Sequence, residues 1–357
     1  MANSSNLKEK EQKWLLSHPL FSPFNEEQRT RLFALLTKKT YAQEETIFSL
    51  SNEEPLKDLY IVARGEVEIW RETPFGKQPY AILKSGDFFG ELHMIDEQGP
   101  VGEIQAYSDV IILTLDSEKL KQIFDEDNRI ACHFHRQYWR SITEKIQQGN
   151  THMKKFFAAG APVDPSKPPE AKARARPAWF APPEGVATSG SSSTMVGVPS
   201  IPVTMEDKKE ALKRVGLEDK EIDRLFQFGE EMAYPADEAI FREGDFGDTL
   251  YFILSGRVRI SKQIPGIGEE ALAIVDSGSF FGEMALVSEN ATRSADCYAH
   301  EGPVLLLAFQ EHILNAQEGL AASDLLFLQI LCKILVYRLR ETYAKLVNWR
   351  MMAGGFF

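Results

Sequence analysis

The sequence predicts a mainly β protein with flanking helices, built from two copies of one small barrel or sandwich. Three observations carry this prediction. Matched blocks recur in the same order; short runs of Ile, Val, Leu, Phe and Tyr alternate with Gly, Asp or Pro turns; and each copy is bracketed by helical stretches. "TIF" (46–48) answers "AIF" (239–241), "LYIVARGEVEI" (59–69) answers "LYFILSGRVRI" (250–260), and "SGDFFGEL" (85–92) answers "SGSFFGEM" (277–284). The offset drifts only between 191 and 193 residues, so the loops joining these blocks are nearly equal in length.

Each element follows from local pattern. The copies open on amphipathic helical stretches, "NEEQRTRLFALL" (25–36) and "EDKEIDRLFQF" (218–228). In "GRVRI", Val258 and Ile260 alternate with Arg257 and Arg259, the period of a strand with one buried face. Gly65 and Gly256 stand between two strand-like runs, where a tight hairpin needs positive φ. A long helix closes each copy, near 117–147 in the first and near 310–318 plus 323–348 in the second. From Gly149 to Val203, Pro, Gly, Ser and Ala dominate and hydrophobic periodicity vanishes, the composition of a flexible linker. The expected domains are therefore 1–148 and 205–357, joined by a linker over 149–204. Within it, "KARAR" (172–176) and "WF" (179–180) read either as a short docking motif or as solvated linker.

Composition narrows the function classes. A length of 357 residues suffices for two cores, and 43% hydrophobic with 26% charged residues fits a soluble globular chain. A net charge of -12 argues against binding to nucleic acid or an anionic membrane, both of which need a basic footprint. Cys132, Cys297 and Cys332 are odd in number and distant in sequence, neither a disulfide framework nor a zinc pair. In "CHFH" (132–135), His133 and His135 point to different sides of a helix, so no metal site is expected. Neither a signal peptide nor a bilayer-length apolar run is visible, which makes the cytoplasm the expected location.

Residues 278–296 carry the chemistry. Gly278 and Gly282 allow sharp turns with backbone close to a ligand. "GEMALVS" offers one or two helical turns whose first N–H groups, from Glu283 through Met284 to Ala285, favour an anion. Arg293 offers a planar fork for a phosphate, with the Ser294 hydroxyl and the Ala295 N–H beside it. Glu283 is out of place in an anion site unless it meets a sugar hydroxyl, which makes the expected ligand a phosphate joined to a ribose. The alternative is a degenerate barrel in which Arg293 makes a structural salt bridge.

"FREGDFGDTLYFILSGRVRI" followed by "GSFFGEMALVSENATRSAD" resembles the cyclic nucleotide-binding domain of catabolite activator proteins, protein kinase A regulatory subunits and cyclic-nucleotide-gated channels. The resemblance covers about 14–148 and 205–350, and the ten-residue step from Glu283 to Arg293 with its "RSA" ending is most similar to the catabolite-activator branch. It implies two β-roll, jelly-roll-like domains. It also implies that Gly282 and Ala285 present backbone to the nucleotide, Glu283 accepts from the ribose 2′-hydroxyl, and Arg293 pairs with the cyclic phosphate, Ser294 and Ala295 completing its shell. "RLRETYAKLVN" (338–348) resembles the activator's long helix, which implies Thr342 as an adenine contact. Cyclic AMP is the ligand expected on similarity, with cyclic GMP possible.

The first copy departs from this pattern. Gly90 and Glu91 remain, but Val101 stands in the place of Arg293, and Gly102-Glu103 replaces Ser-Ala. Losing one partner of a buried charged pair costs ~2–5 kcal/mol, enough to remove nucleotide affinity. The first copy is therefore expected to be a scaffold or interaction module; His93, in the place of Ala285, is the one side chain that could replace the arginine.

No effector is visible: "WRMMAGGFF" after the last helix is too short for a helix-turn-helix, and neither kinase motifs nor an Arg-Arg-x-Ser/Ala pseudosubstrate occur. The expected function is a regulatory protein that holds cyclic nucleotide in its second domain and signals through its last helix to a separate partner. The alternative is a structural or assembly protein with weak or no nucleotide binding; an enzyme is not expected. Leu325, Leu328, Cys332, Leu335, Leu339, Thr342 and Leu346 form a heptad seam, either for a homodimer or for burial against the barrel or the first unit. In the second case Thr342 is merely a polar seam position. The terminal "FF" reads as a docking tail or a frayed end.

Overall fold

Capping side chains, alternating apolar residues and positive-φ glycines build the same arrangement twice. The computed structural model describes residues 9–51, 56–158, 203–264, 268–287, 291–310 and 322–352. In the first repeat, α1 (Glu9–Ser17) precedes α2 (Glu26–Phe33), which starts at a reciprocal capping box between Asn25 and Gln28. Strands β1 (Leu36–Tyr41), β2 (Thr46–Phe48), β3 (Leu59–Arg64), β4 (Val67–Thr73), β5 (Gly76–Leu83) and β6 (Phe88–Phe89) follow. Then come α3 (Glu91–Asp96), β7 (Glu103–Ala106), β8 (Val110–Leu115), α4 (Ser117–Glu126) and α5 (Asn128–Ala158). The strands form two antiparallel sheets, ordered β1-β8-β3-β6 and β2-β7-β4-β5. In β7, Ile104 and Ala106 are buried while Glu103 and Gln105 are not, the expected two-residue period.

The second repeat opens with α6 (Met205–Arg214), begun by a Thr204–Asp207 capping box, and α7 (Asp219–Phe228). Its strands are β9 (Glu230–Tyr234), β10 (Ala239–Phe241), β11 (Thr249–Ser255), β12 (Arg257–Ile264), β13 (Gly268–Asp276), β14 (Phe280–Phe281), β15 (Asp296–Ala299) and β16 (Val304–Gln310). Sheet orders β14-β11-β16-β9 and β10-β15-β12-β13 reproduce those of the first repeat. Ile253, Val258, Phe281, Ala299 and Leu306 lie in the core between the sheets. Gly65 and Gly256 take the expected positive φ, 83° and 87°. Each, however, carries the chain from one sheet to the other, β3 to β4 and β11 to β12, rather than closing a hairpin. A Cβ at Gly65 would lie 2.3 Å from the Asp109 carbonyl, which explains the glycine.

The last helix, α8 (Ala322–Met352), departs from the expected domain of 205–357. The chain divides into one unit of Met1–Pro169 with Leu320–Phe357, and another of Glu170–Gly319, so α8 belongs with the first repeat. Its seam residues Leu328, Cys332, Leu335, Leu339 and Leu346 are buried there, and the Cys332 thiol donates to the His135 carbonyl of α5 at 3.3 Å. The expected linker start at Gly149 also moves, because α5 continues to Ala158. A Cβ at Gly149 would meet the Thr342 methyl at 2.9 Å; this glycine permits close helix approach instead of ending a helix. Of the helix expected over 310–318, Gln310 ends β16 and the rest lies outside the described residues, as do "KARAR", "WF" and the terminal "FF". Among the described residues no helix is long and apolar enough to cross a membrane.

Candidate functional site

In the second repeat, β14 ends at Gly282, whose φ is 84°. A Cβ there would lie 2.8 Å from Arg293 Nη1 and 3.1 Å from the Thr249 carbonyl, so only glycine lets the backbone touch the guanidinium. Arg293 is 4% exposed. Its Nη1 donates to the Gly282 carbonyl at 2.9 Å, and its guanidinium carbon lies 4.2 Å from the Phe241 ring centre and 5.5 Å from that of Tyr251. Nε has no hydrogen-bond partner, and no carboxylate among the described residues forms an ion pair with this guanidinium. Burial lowers the Arg293 pKa, opposed by Tyr251, Cys297, Asp248 and Glu283. A buried cation with no ion pair among the described residues is held at a cost that an anion beside it would relieve.

The backbone around Arg293 is fixed by the "EGDFGD" turn. Gly244 N–H donates to the Arg293 carbonyl (2.9 Å), Arg293 N–H to the Asp245 carbonyl (2.8 Å), and Gly247 N–H to the Ala291 carbonyl (2.7 Å). A Cβ on Gly247 would lie 2.6 Å from Arg293 Nε and 2.7 Å from the Ala285 Cβ. The same corner holds the fully buried Glu283, and the Ser294 hydroxyl reaches Met284 Sδ at 3.7 Å. Lys262 Nζ donates to the Ser294 carbonyl at 2.8 Å and pairs with Glu243 at 3.0 Å. Buried Ala295 continues the chain into β15. Residues Ala285–Val287 form a single 3-10 turn, less than the one or two helical turns expected, so the positive charge of this corner rests on Arg293 rather than on a helix dipole.

The first repeat repeats the backbone and changes the charges. Gly90 has φ 97°, and a Cβ there would lie 2.1 Å from the Asp58 carbonyl. Glu91 is fully buried, and Lys145 of α5 places Nζ 2.5 Å from its Oε1 and 3.0 Å from the Phe88 carbonyl. Val101 lines a cavity with Gly90, Glu91, Lys145, Leu339 and Tyr343; because Glu103 answers Asp296 in the strand register, Pro100 of the same lining, rather than Val101, takes the place of Arg293. The Tyr343 ring stacks on Tyr80 with centres 4.3 Å apart and planes 15° apart. Arg340 grips Asp96 through Nε (2.8 Å) and Nη2 (3.1 Å) and donates from Nη1 to the Gly99 carbonyl (3.0 Å). His93 does not take the arginine's part: its Nδ1 lies 3.2 Å from the Gln98 carbonyl of its own loop. Glu103 accepts from the Leu50 N–H at 3.2 Å.

The structure thus brings Gly282, Glu283, Met284, Ala285, Arg293, Ser294 and Ala295 to one corner of the second repeat. Thr342 is not among them. It lies in α8 with the first repeat, half-buried, its methyl facing Gly149, because the helix seam matches α5. Sequence reasoning missed Phe241, Gly247 and Tyr251 as the packing around Arg293, although all three fall in the repeated blocks or the "EGDFGD" turn. It also missed Tyr80, Lys145, Arg340 and Tyr343, for which no local signal exists. The "CHFH" histidines find separate partners, His133 the Pro19 carbonyl (2.7 Å) and His135 the Ala131 carbonyl (2.8 Å).

Known proteins share parts of this sequence. The family described as cyclic nucleotide-binding domain matches residues 38–127 and 231–317. The chain is similar to the cyclic AMP receptor protein of Thermus thermophilus, 36% identical over 126 residues that make up 35% of this chain and 56% of the relative. It is also similar to human cGMP-dependent protein kinase 2, 30% identical over 87 residues, 24% of this chain and 11% of the kinase. The shared segments therefore span little more than half of one relative and a small part of the other. Among solved structures, the regulatory domain of Toxoplasma gondii PKA with cAMP is similar over 89% of this chain and 94% of that one, at 16% identity and a TM-score of 0.32.

Proposed function

This chain belongs to the cyclic nucleotide-binding domain family, of which it carries two copies, and we propose that the second copy binds a cyclic nucleotide while the first is a scaffold. In this reading Arg293 pairs with the cyclic phosphate and Glu283 accepts from the ribose 2′-hydroxyl. The Gly282–Ala285 backbone, Ser294 and Ala295 complete the shell. The observation that carries the reading is the buried Arg293, whose Nε has no hydrogen-bond partner and whose guanidinium forms no ion pair among the described residues. Similarity to the cyclic AMP receptor protein favours cyclic AMP, and similarity to cGMP-dependent protein kinase 2 keeps cyclic GMP as the competitor. The role is regulatory rather than catalytic, with a separate protein as effector.

Calorimetry of the full chain with each nucleotide tests this. Micromolar binding is expected, and Arg293→Ala weakens it by ~30-fold or more, the low end for removing one partner of a buried charge pair. A folded wild-type chain silent to both nucleotides overturns the reading. It would leave the assembly role, which the Arg293 bond to the Gly282 carbonyl and its stacking on Phe241 support as an internal anchor.

A further inference from the structure

We propose that the first repeat is a receptor for the chain's own last helix: Leu339 and Tyr343 of α8 fill the pocket that corresponds to the Arg293 corner, and the Arg340–Asp96 clamp holds them there. This inference does not depend on nucleotide binding by the second repeat.

Gly90 and Glu91, the counterparts of Gly282 and Glu283, line the cavity together with Pro100, Val101, Leu339 and Tyr343. The space left between them is about 30 Å³, enough for a water molecule and far too little for a nucleotide.

The lining favours an apolar, aromatic peptide. Val101 supplies an apolar wall, Lys145 neutralises Glu91 from within the scaffold, and Tyr80 offers a flat face on which Tyr343 stacks. The clamp adds direction. Arg340 meets both oxygens of Asp96, the last residue of α3, and the Gly99 carbonyl in the loop that leads to Val101. Side-chain exposures of 10% and 15% keep this pair shielded from salt. Gly149 clears the path on α5 for the same turn of α8.

The fit is incomplete in a way that makes docking reversible. Glu91 Oε2 and the Tyr343 hydroxyl are buried without hydrogen-bond partners. Both would be hydrated once the helix moved, so these orphaned groups narrow the gap between docked and undocked states. Because α8 follows β16 in the chain, the plug is tethered to the end of the second repeat. The first repeat thus has a ligand at permanently high local concentration and needs none from solution.

Cys332 reports the state of the helix. It is fully buried beside the His135 carbonyl, and burial pushes its thiol pKa up, so it reacts only when α8 opens. The full chain is labelled with a thiol reagent, and peptide-resolved mass spectrometry separates Cys332 from the buried Cys132 and Cys297. The double variant Arg340→Ala, Tyr343→Ala is expected to label at Cys332 about tenfold faster or more, with Cys297 unchanged. Tyr343→Phe keeps the ring and removes an orphaned hydroxyl, so it labels no faster than wild type. Should the double variant not fold, Asp96→Asn loosens the clamp from the other side and gives a smaller rise at Cys332. An unchanged Cys332 rate in the double variant overturns the proposal. So does a parallel rise at all three thiols, because the helix would then be inseparable core rather than an occupant.

Discussion

The two repeats share a strand order, a Phe-Phe-Gly-Glu step and a fully buried glutamate, yet they settle the charges around that step differently. In the first, Lys145 reaches from α5 to Glu91, and the site is closed by its own scaffold. In the second, Arg293 is buried beside Glu283, its Nε without a hydrogen-bond partner and its guanidinium without an ion pair among the described residues. A duplicated corner can therefore keep its backbone while its charges change: the first repeat lacks the arginine, and α5 supplies Lys145 to the buried glutamate.

The largest effect that tests this contrast is on stability. Lys145→Met leaves Glu91 buried without its cation and is expected to destabilise the first unit by ~3–5 kcal/mol. The double variant Lys145→Met, Glu91→Gln should recover most of that loss, since the orphaned charge is gone. Denaturant unfolding followed by tryptophan fluorescence in a Trp179→Phe background reports this unit, which holds the remaining tryptophans Trp14, Trp70, Trp139 and Trp349. A single-variant loss below ~1 kcal/mol would mean the pair behaves like a surface salt bridge, and the contrast between repeats would fail.

A smaller effect separates the glycines. At Gly282 an added Cβ strikes Arg293 Nη1 at 2.8 Å, whereas at Gly90 it strikes the Asp58 carbonyl at 2.1 Å. Gly282→Ala is expected to weaken cyclic nucleotide binding by about tenfold through a displaced guanidinium. Gly90→Ala should leave nucleotide affinity at wild-type level and lower only the stability of the first unit. Calorimetry and unfolding on the two variants read these outcomes independently. Equal affinity losses would show that both corners bind nucleotide.

Which parts of this were legible in the sequence follows from how far each cause reaches. Repeated blocks disclose the duplicated fold because strand alternation and turn glycines act over a few residues. The Arg293 corner is legible for the same reason, since its glycines, glutamate and arginine lie on one short stretch. Lys145 and Glu91 are 54 positions apart, and nothing near either names the other. The seam of α8 shows that one face must be buried, but an amphipathic face does not say which body receives it, and α5 proved the better match. Gly149 misled for a related reason: a glycine that admits a neighbouring helix reads, in isolation, like one that ends its own.

The smallest expected effect is a pH dependence of the first unit. His18, His133 and His135 all have pKa values lowered from the ordinary 6.5, and burial is the leading cause in each. Backbone hydrogen bonds raise them only in part: His18 Nε2 pairs with the Gly86 carbonyl at 2.9 Å, while its Nδ1 accepts from the Leu20 N–H at 3.2 Å. That arrangement requires the neutral ring, because a protonated Nδ1 would face a donor. The folded unit therefore holds these protons less tightly than the unfolded chain does. As pH falls through about 6.5 the unfolded chain takes up protons that the folded unit refuses, so stability drops until the depressed folded values are reached. Unfolding of the full chain followed by tryptophan fluorescence should show a midpoint that is flat above about pH 7.5 and declines towards pH 5.5. His18→Asn should lower the midpoint throughout and make that decline shallower by about one proton's worth. A slope that His18→Asn leaves unchanged would assign the acid sensitivity to other groups.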